Sequence, residues 1–139
     1  MGAGGRQRVG AKLTRMQNSS EGDIMSLTVI DTDKLPRSNA PNSGEFTEVI
    51  NKVLCGAENV VGTLHWLREK QHLDSRGDGK NHRLIYLIEG AGTITLNPKE
   101  YAVKKGAGVY LGPSESAIIM QNGVAPLKLF RLAVAKGQI

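Results

Sequence analysis

The chain has 139 residues, 40% of them apolar, 22% charged and 4% aromatic, with a single cysteine, Cys55. That length and composition suit one folded domain with an aliphatic core, and they exclude a membrane-spanning helix, an internal disulfide and any cysteine-rich zinc or iron–sulfur centre. The net charge of +5 is uneven: Arg6, Arg8, Lys12 and Arg15 fall in the first twenty residues, which hold no acid, and the rest of the chain sets 14 of the 18 basic residues against 13 acidic ones, leaving no basic stripe to follow phosphates and no expectation of a nucleic-acid partner.

Residues 1–25 are rich in Gly, Arg, Gln, Asn and Ser and carry neither helical nor strand periodicity, so they are expected to form a disordered basic extension ahead of a domain over 26–139. The N-terminus holds no hydrophobic leader stretch, which points to the cytoplasm, or to an organelle interior should the basic segment serve as a transit peptide. From residue 26 onward the apolar residues come in short, β-branched-rich runs divided by Gly, Pro, Asn and Asp. That pattern predicts strands over 26–31, 47–53, 60–67, 82–88, 93–96, 101–103, 108–111, 117–121 and 127–134. Polar loops cover 33–44 and 74–81, and Pro- and Gly-containing turns cover 97–100 and 122–126. Short strands at this spacing predict an all-β sandwich or barrel.

The run Leu84-Ile85-Tyr86-Leu87-Ile88-Glu89-Gly90-Ala91-Gly92-Thr93-Ile94 is followed by Lys105-Gly106-Ala107-Gly108-Val109-Tyr110-Leu111-Gly112-Pro113 and then Asn122-Gly123. These segments resemble the two motifs of the cupin superfamily, over residues 45–134. The resemblance implies a jelly-roll β-barrel of two antiparallel sheets and a homodimer. It does not imply one activity, because that fold carries many. Metal-binding cupins share a His-x-His pair and a Glu in the first motif and a further His in the second. The matching positions here are Gly77 and Gly79, or Arg76 and Asp78, for the pair, Arg83 for the Glu, and Ile118 or Ala117 for the last His. The resemblance therefore implies a chain without a metal or other cofactor, since a permanent cation at Arg83 repels a divalent ion. The alternative is an atypical metal site built from His65, His72 and His82 with Asp74 and Asp78 around the polar loop.

Strand alternation sets Arg83, Ile85 and Leu87 on one face and His82, Leu84 and Tyr86 on the other. An inward Arg83 needs an anion: either the carboxylate or phosphate of a small ligand, or a salt bridge to Glu45, Glu48, Glu69 or Glu115. Arg131 either joins Arg83 as a second substrate-binding group or lies on the outer sheet face at a dimer contact. His65 is either the general acid or base, being the side-chain type that titrates near neutrality, or a satisfied core or surface histidine, with Trp66 on the opposite face. Tyr110 either joins His65 as a proton donor or is a structural buried tyrosine.

Two classes of function follow. One is a metal-independent cupin acting on a small polar, anionic molecule by proton transfer, as an epimerase, isomerase, cyclase or lyase, with His65 and Tyr110 catalytic and Arg83 and Arg131 binding substrate. The other is a non-catalytic small-molecule-binding or scaffold cupin. Pocket content separates them: an open cavity holding His65 and Arg83 together marks the enzyme, and a cavity plugged by Ile118 marks the scaffold.

Overall fold

The computed structural model describes residues 13–20, 23–96 and 98–137. Strands dominate, in the order β1 (Leu13–Ser20), β2 (Asp23–Ile30), a 3-10 turn (Thr32–Lys34), β3 (Ser38–Ala40), β4 (Gly44–Ile50), α1 (Lys52–Cys55), β5 (Val60–Leu67), β6 (His72–Ser75), β7 (Asn81–Glu89), β8 (Ala91–Leu96), β9 (Lys99–Lys104), β10 (Gly108–Leu111), β11 (Ala117–Asn122) and β12 (Leu127–Ala135). They form a six-stranded sheet, β10-β7-β12-β5-β4-β3, and a four-stranded sheet, β9-β8-β11-β6. Every pairing is antiparallel. The two sheets face each other as a jelly-roll sandwich with no ladder closing them into a barrel among the described residues. Single bonds join their corners, such as His72 N–H donating to the Asn42 carbonyl at 3.0 Å.

Alternation explains the core. Along β7, Arg83, Ile85 and Leu87 are 1%, 0% and 0% exposed, whereas Leu84 and Tyr86 are 44% and 46% exposed. The inward set packs with Leu67, Ile94, Leu111, Ala117, Ile119, Leu127 and Leu129 between the sheets. A second cluster, Leu35, Val49, Leu54, Leu64 and Trp66, covers the outer face of the six-stranded sheet at its β4–β5 side. Leu54 reaches it from α1. Asn51 caps that helix by accepting the Leu54 N–H at 2.8 Å, and Gly56 ends it at φ +71°.

Four elements differ from the sequence expectation. Residues 1–12 and 21–22 of the expected extension lie outside the described residues, but Leu13–Ser20 pairs with β2 from Leu13↔Ile30 to Ser20↔Asp23. β3 and β6 lie in or beside segments read as loops; both are short and polar, and their backbones are held by neighbouring strands rather than by an apolar stripe. The run read as strand 47–53 breaks at Ile50, where Asn51 starts α1. Gly90, in the first motif, has φ +88°, and a Cβ there would stand 2.5 Å from the Pro126 carbonyl oxygen. Only glycine fits that turn.

Candidate functional site

Register fixes which side chains share the inner face of the six-stranded sheet. Arg131 on β12 lies opposite Thr63 on β5 and Ile85 on β7. Two residues along, Leu129 lies opposite His65 and Leu87, and in the other direction Ala133 lies opposite Val61 and Arg83. Cross-strand partners project to the same side, and diagonal neighbours come within reach of long side chains. Arg131 therefore sits on the inner face between His65 and Arg83, not on the outer face.

Arg83 crosses the sandwich. One terminal nitrogen donates to Ser75 Oγ on β6 at 2.9 Å, and the other donates to the Gly112 carbonyl at 2.7 Å and to the Glu115 carbonyl. Nε has no partner among the described residues. The expected carboxylate is not there. Glu115 supplies its backbone oxygen while its carboxylate accepts the Gly112 N–H at 2.6 Å, Glu45 pairs with Arg37 at 3.2 Å, and Glu48 accepts from Asn51. Three neutral oxygens engage two of the three nitrogens of this buried guanidinium, one nitrogen holding Ser75 on β6 and the other holding the β10–β11 loop. Gly77 lets that loop come close: a Cβ there would stand 2.6 Å from the Ser114 backbone carbon. Arg83 is thus a tie between sheets, with its two terminal nitrogens engaged by Ser75 and the loop carbonyls.

His65 is 8% exposed, with its ring stacked on Phe46 at 6.0 Å and its Nε2 without a partner among the described residues. Burial first, and then the charge of Arg131, push its pKa down to about 4, so the ring is neutral near neutral pH. Tyr110 takes the other face. It pairs with Leu84, is 58% exposed, and its hydroxyl lies 2.6 Å from His82 Nδ1. His65 and Tyr110 stand on opposite sides of one sheet and cannot act on one substrate. Trp66 faces outward as expected, with the Arg37 guanidinium 3.6 Å over its ring. Ile118 does not plug the interior: it is 40% exposed, while Ala117 points inward beside Ser75. Ile85, Leu87, Ile119 and Leu129 fill the middle of the sandwich instead.

The three histidines occupy three surfaces, His65 inside and His82 outside the six-stranded sheet and His72 on the other sheet. No group of three His, Cys, Asp or Glu is placed to hold a metal among the described residues. The inner face offers one imidazole nitrogen beside two guanidinium groups, a donor set that does not fit a divalent cation.

Space remains at the end of the sandwich beyond Arg131, where a cleft of about 590 Å³ is lined by Arg131, Val61, Ala133, Ala135, Asn81 and Glu58 among others. Small side chains at the end of β12 open it. Half-buried Arg131 makes no hydrogen bond or ion pair among the described residues; burial and then the Arg83 charge pull its pKa down, and Asp78 opposes them. Asp78 is itself engaged, accepting Lys80 N–H at 2.7 Å and Asn81 N–H at 2.9 Å, bonds that hold its pKa at about 2. Sequence reasoning missed Asn81 and Glu58 as cleft residues. The available signal was Ala133 and Ala135, which share the Arg131 face at the strand end.

No family model and no curated protein matches the chain. Solved structures do. The Schizosaccharomyces pombe Cnp3 cupin domain superposes with a TM-score of 0.69 at 9% identity, covering 89% of this chain and 88% of that one. A predicted oxalate decarboxylase from Thermotoga maritima gives 0.68 at 16% identity, covering 77% of this chain and 98% of that one. The fold is a cupin fold. An RmlC-like cupin from Desulfovibrio desulfuricans agrees, with a TM-score of 0.57 at 14% identity over 70% of this chain and 87% of that one. At these identities the likeness extends to the cupin fold and not to an activity. No helix among the described residues is long and apolar enough to cross a membrane.

Proposed function

We propose that this cupin binds a small organic anion at the open end of its sandwich, with Arg131 as the anchor. The observation that carries the reading is a half-buried guanidinium that lines an open cleft and has no hydrogen bond or ion pair among the described residues. A guanidinium in such a setting is satisfied by a carboxylate or phosphate, which it holds through paired N–H donors. The anion also offsets the repulsion between Arg131 and Arg83.

Proton transfer is the second reading: the cleft is lined by neither His65 nor Arg83, and the reading rests on the unpartnered Nε2 of His65, on the same inner face as Arg131. An anion on Arg131 cancels part of the field that weakens this imidazole, raising its basicity when ligand is present and leaving it neutral otherwise. His65 then acts without Tyr110. Calorimetric titration with a panel of small carboxylates and phosphates tests the binding: Arg131→Met is expected to lose it, and anion binding that survives in a folded Arg131→Met variant removes the assignment. His65→Gln separates the two readings, since a binding protein keeps its affinity and an enzyme loses turnover.

A further inference from the structure

We infer that the ligand of this cleft is a hydroxylated carboxylic acid, with several hydroxyl groups on the carbons beyond its acid group. The inference rests on the anion reading of Arg131 and adds what the remainder of the cleft asks of the ligand. Away from Arg131 the lining polar groups are Lys52, Glu58, Asn59 and Asn81, and two of them, Glu58 and Asn81, offer acceptors to a ligand. Asn81 donates its Nδ2 to Asp78 at 2.7 Å, which leaves Oδ1 without a partner among the described residues. Glu58 adds an exposed carboxylate, with Lys52 the other cation at the exposed rim. An acceptor is satisfied only by a donor. A simple alkyl carboxylate brings none to Asn81 Oδ1 and puts bare hydrocarbon against Glu58, and inorganic phosphate, whose P–OH can donate once, puts like charge against Glu58 and is too small to reach both acceptors from Arg131. Hydroxyl groups donate to both while the acid group lies on Arg131.

The apolar part of the wall points the same way. It consists of aliphatic side chains, including Val61, Ala133 and Ala135, with no aromatic ring among the lining residues, so a flat aromatic acid finds no stacking partner. A cleft of about 590 Å³ is within the range for a small-molecule site and leaves room for a chain of several carbons.

The test is calorimetric titration of the full chain with gluconate, with hexanoate, which keeps six carbons and the carboxylate but no further hydroxyl, and with inorganic phosphate. Gluconate is expected to bind at least about ten-fold more tightly than either, because a site that hydrogen-bonds hydroxyls discriminates strongly against analogues lacking them. Arg131→Met and Ala133→Leu, which fills the cleft from β12, are each expected to weaken gluconate by about ten-fold or more. Should either variant fail to fold, NMR of the unmodified chain reads the same point: gluconate must shift the side-chain resonances of Asn81 and Arg131. Hexanoate or phosphate binding as well as gluconate, with Arg131 still required, overturns the hydroxy-acid assignment and leaves the anion reading standing. Failure of all three probes to bind at about 10 mM overturns both.

Discussion

Arg83 is 1% exposed and holds no acid, yet it is not an unpaired charge, because Ser75 and two loop carbonyls surround it. Removing it strands three acceptors inside the sandwich. Arg83→Met is therefore expected to lower the unfolding free energy by about 3 kcal/mol, since hydrogen bonds to a buried charged group are costly to break. Urea denaturation reads the loss, and a midpoint unchanged from the parent chain refutes the tie. His65 gives a second prediction. Its folded pKa of about 4 lies below its ordinary value of 6.5, so between those pH values the unfolded chain binds the additional proton and stability falls as pH falls. The loss is complete near pH 4 and amounts to about 3 kcal/mol. Stability curves at pH 7 and about pH 4.5 check it, and His65→Gln is expected to flatten the difference. The inward direction of Arg83 was legible from alternation alone. Its partners were not, because two of the three come from a loop about thirty positions onward whose path depends on Gly77 and on the Glu115 carboxylate.

At the level of strands, β7, β11 and β12 were readable from the alternating set that each buries against the other sheet, and β5 from a β-branched and apolar run that is buried on both faces. α1 was hidden inside a β-branched run, and its only sequence marks were Asn51 and Gly56 at its two ends. The pairing of His65 with Tyr110 failed for a related reason. Alternation gives the phase of each strand by itself, and only the register between strands relates one phase to another; here Val109 pairs with inward Ile85 and so sends Tyr110 out. The turn at Gly90 is a strict requirement of this architecture. Gly90→Ala places a Cβ 2.5 Å from the Pro126 oxygen at φ +88°, and a loss of about 2 kcal/mol or more is expected. A thermal melt checks it, and an unchanged melting temperature would mean that the β7–β8 turn relaxes freely.

Across the whole molecule, two sheets are held together by an aliphatic layer in the middle, by Arg83 near one loop and by corner bonds. None of these contacts calls for a metal ion. Treating the chain with a chelator is expected to leave its melting temperature unchanged, whereas a saturating ligand that binds only the folded form raises it. A drop on chelation, with about one tightly held metal per chain by elemental analysis, would mean that the inner face rearranges to bring its histidines together. The fold was thus legible as a whole, through its strand spacing and paired motifs, while the site was legible only in part. Arg131 and His65 stood out by residue type. The cleft beside Arg131 is made by small residues at a strand end, and smallness becomes a cavity only when the neighbouring strands are in place.

The Arg83 tie also bears on how the molecule opens. Its guanidinium spans β7, β6 and the loop after β10, so none of the three can move away without breaking bonds inside a dry interior. The sheets should then come apart in one event rather than peel strand by strand. In amide hydrogen exchange, the Gly112 and Glu115 N–H groups, though in a surface loop, would exchange as slowly as the core amides of Ile85 and Leu87 and report the global unfolding free energy.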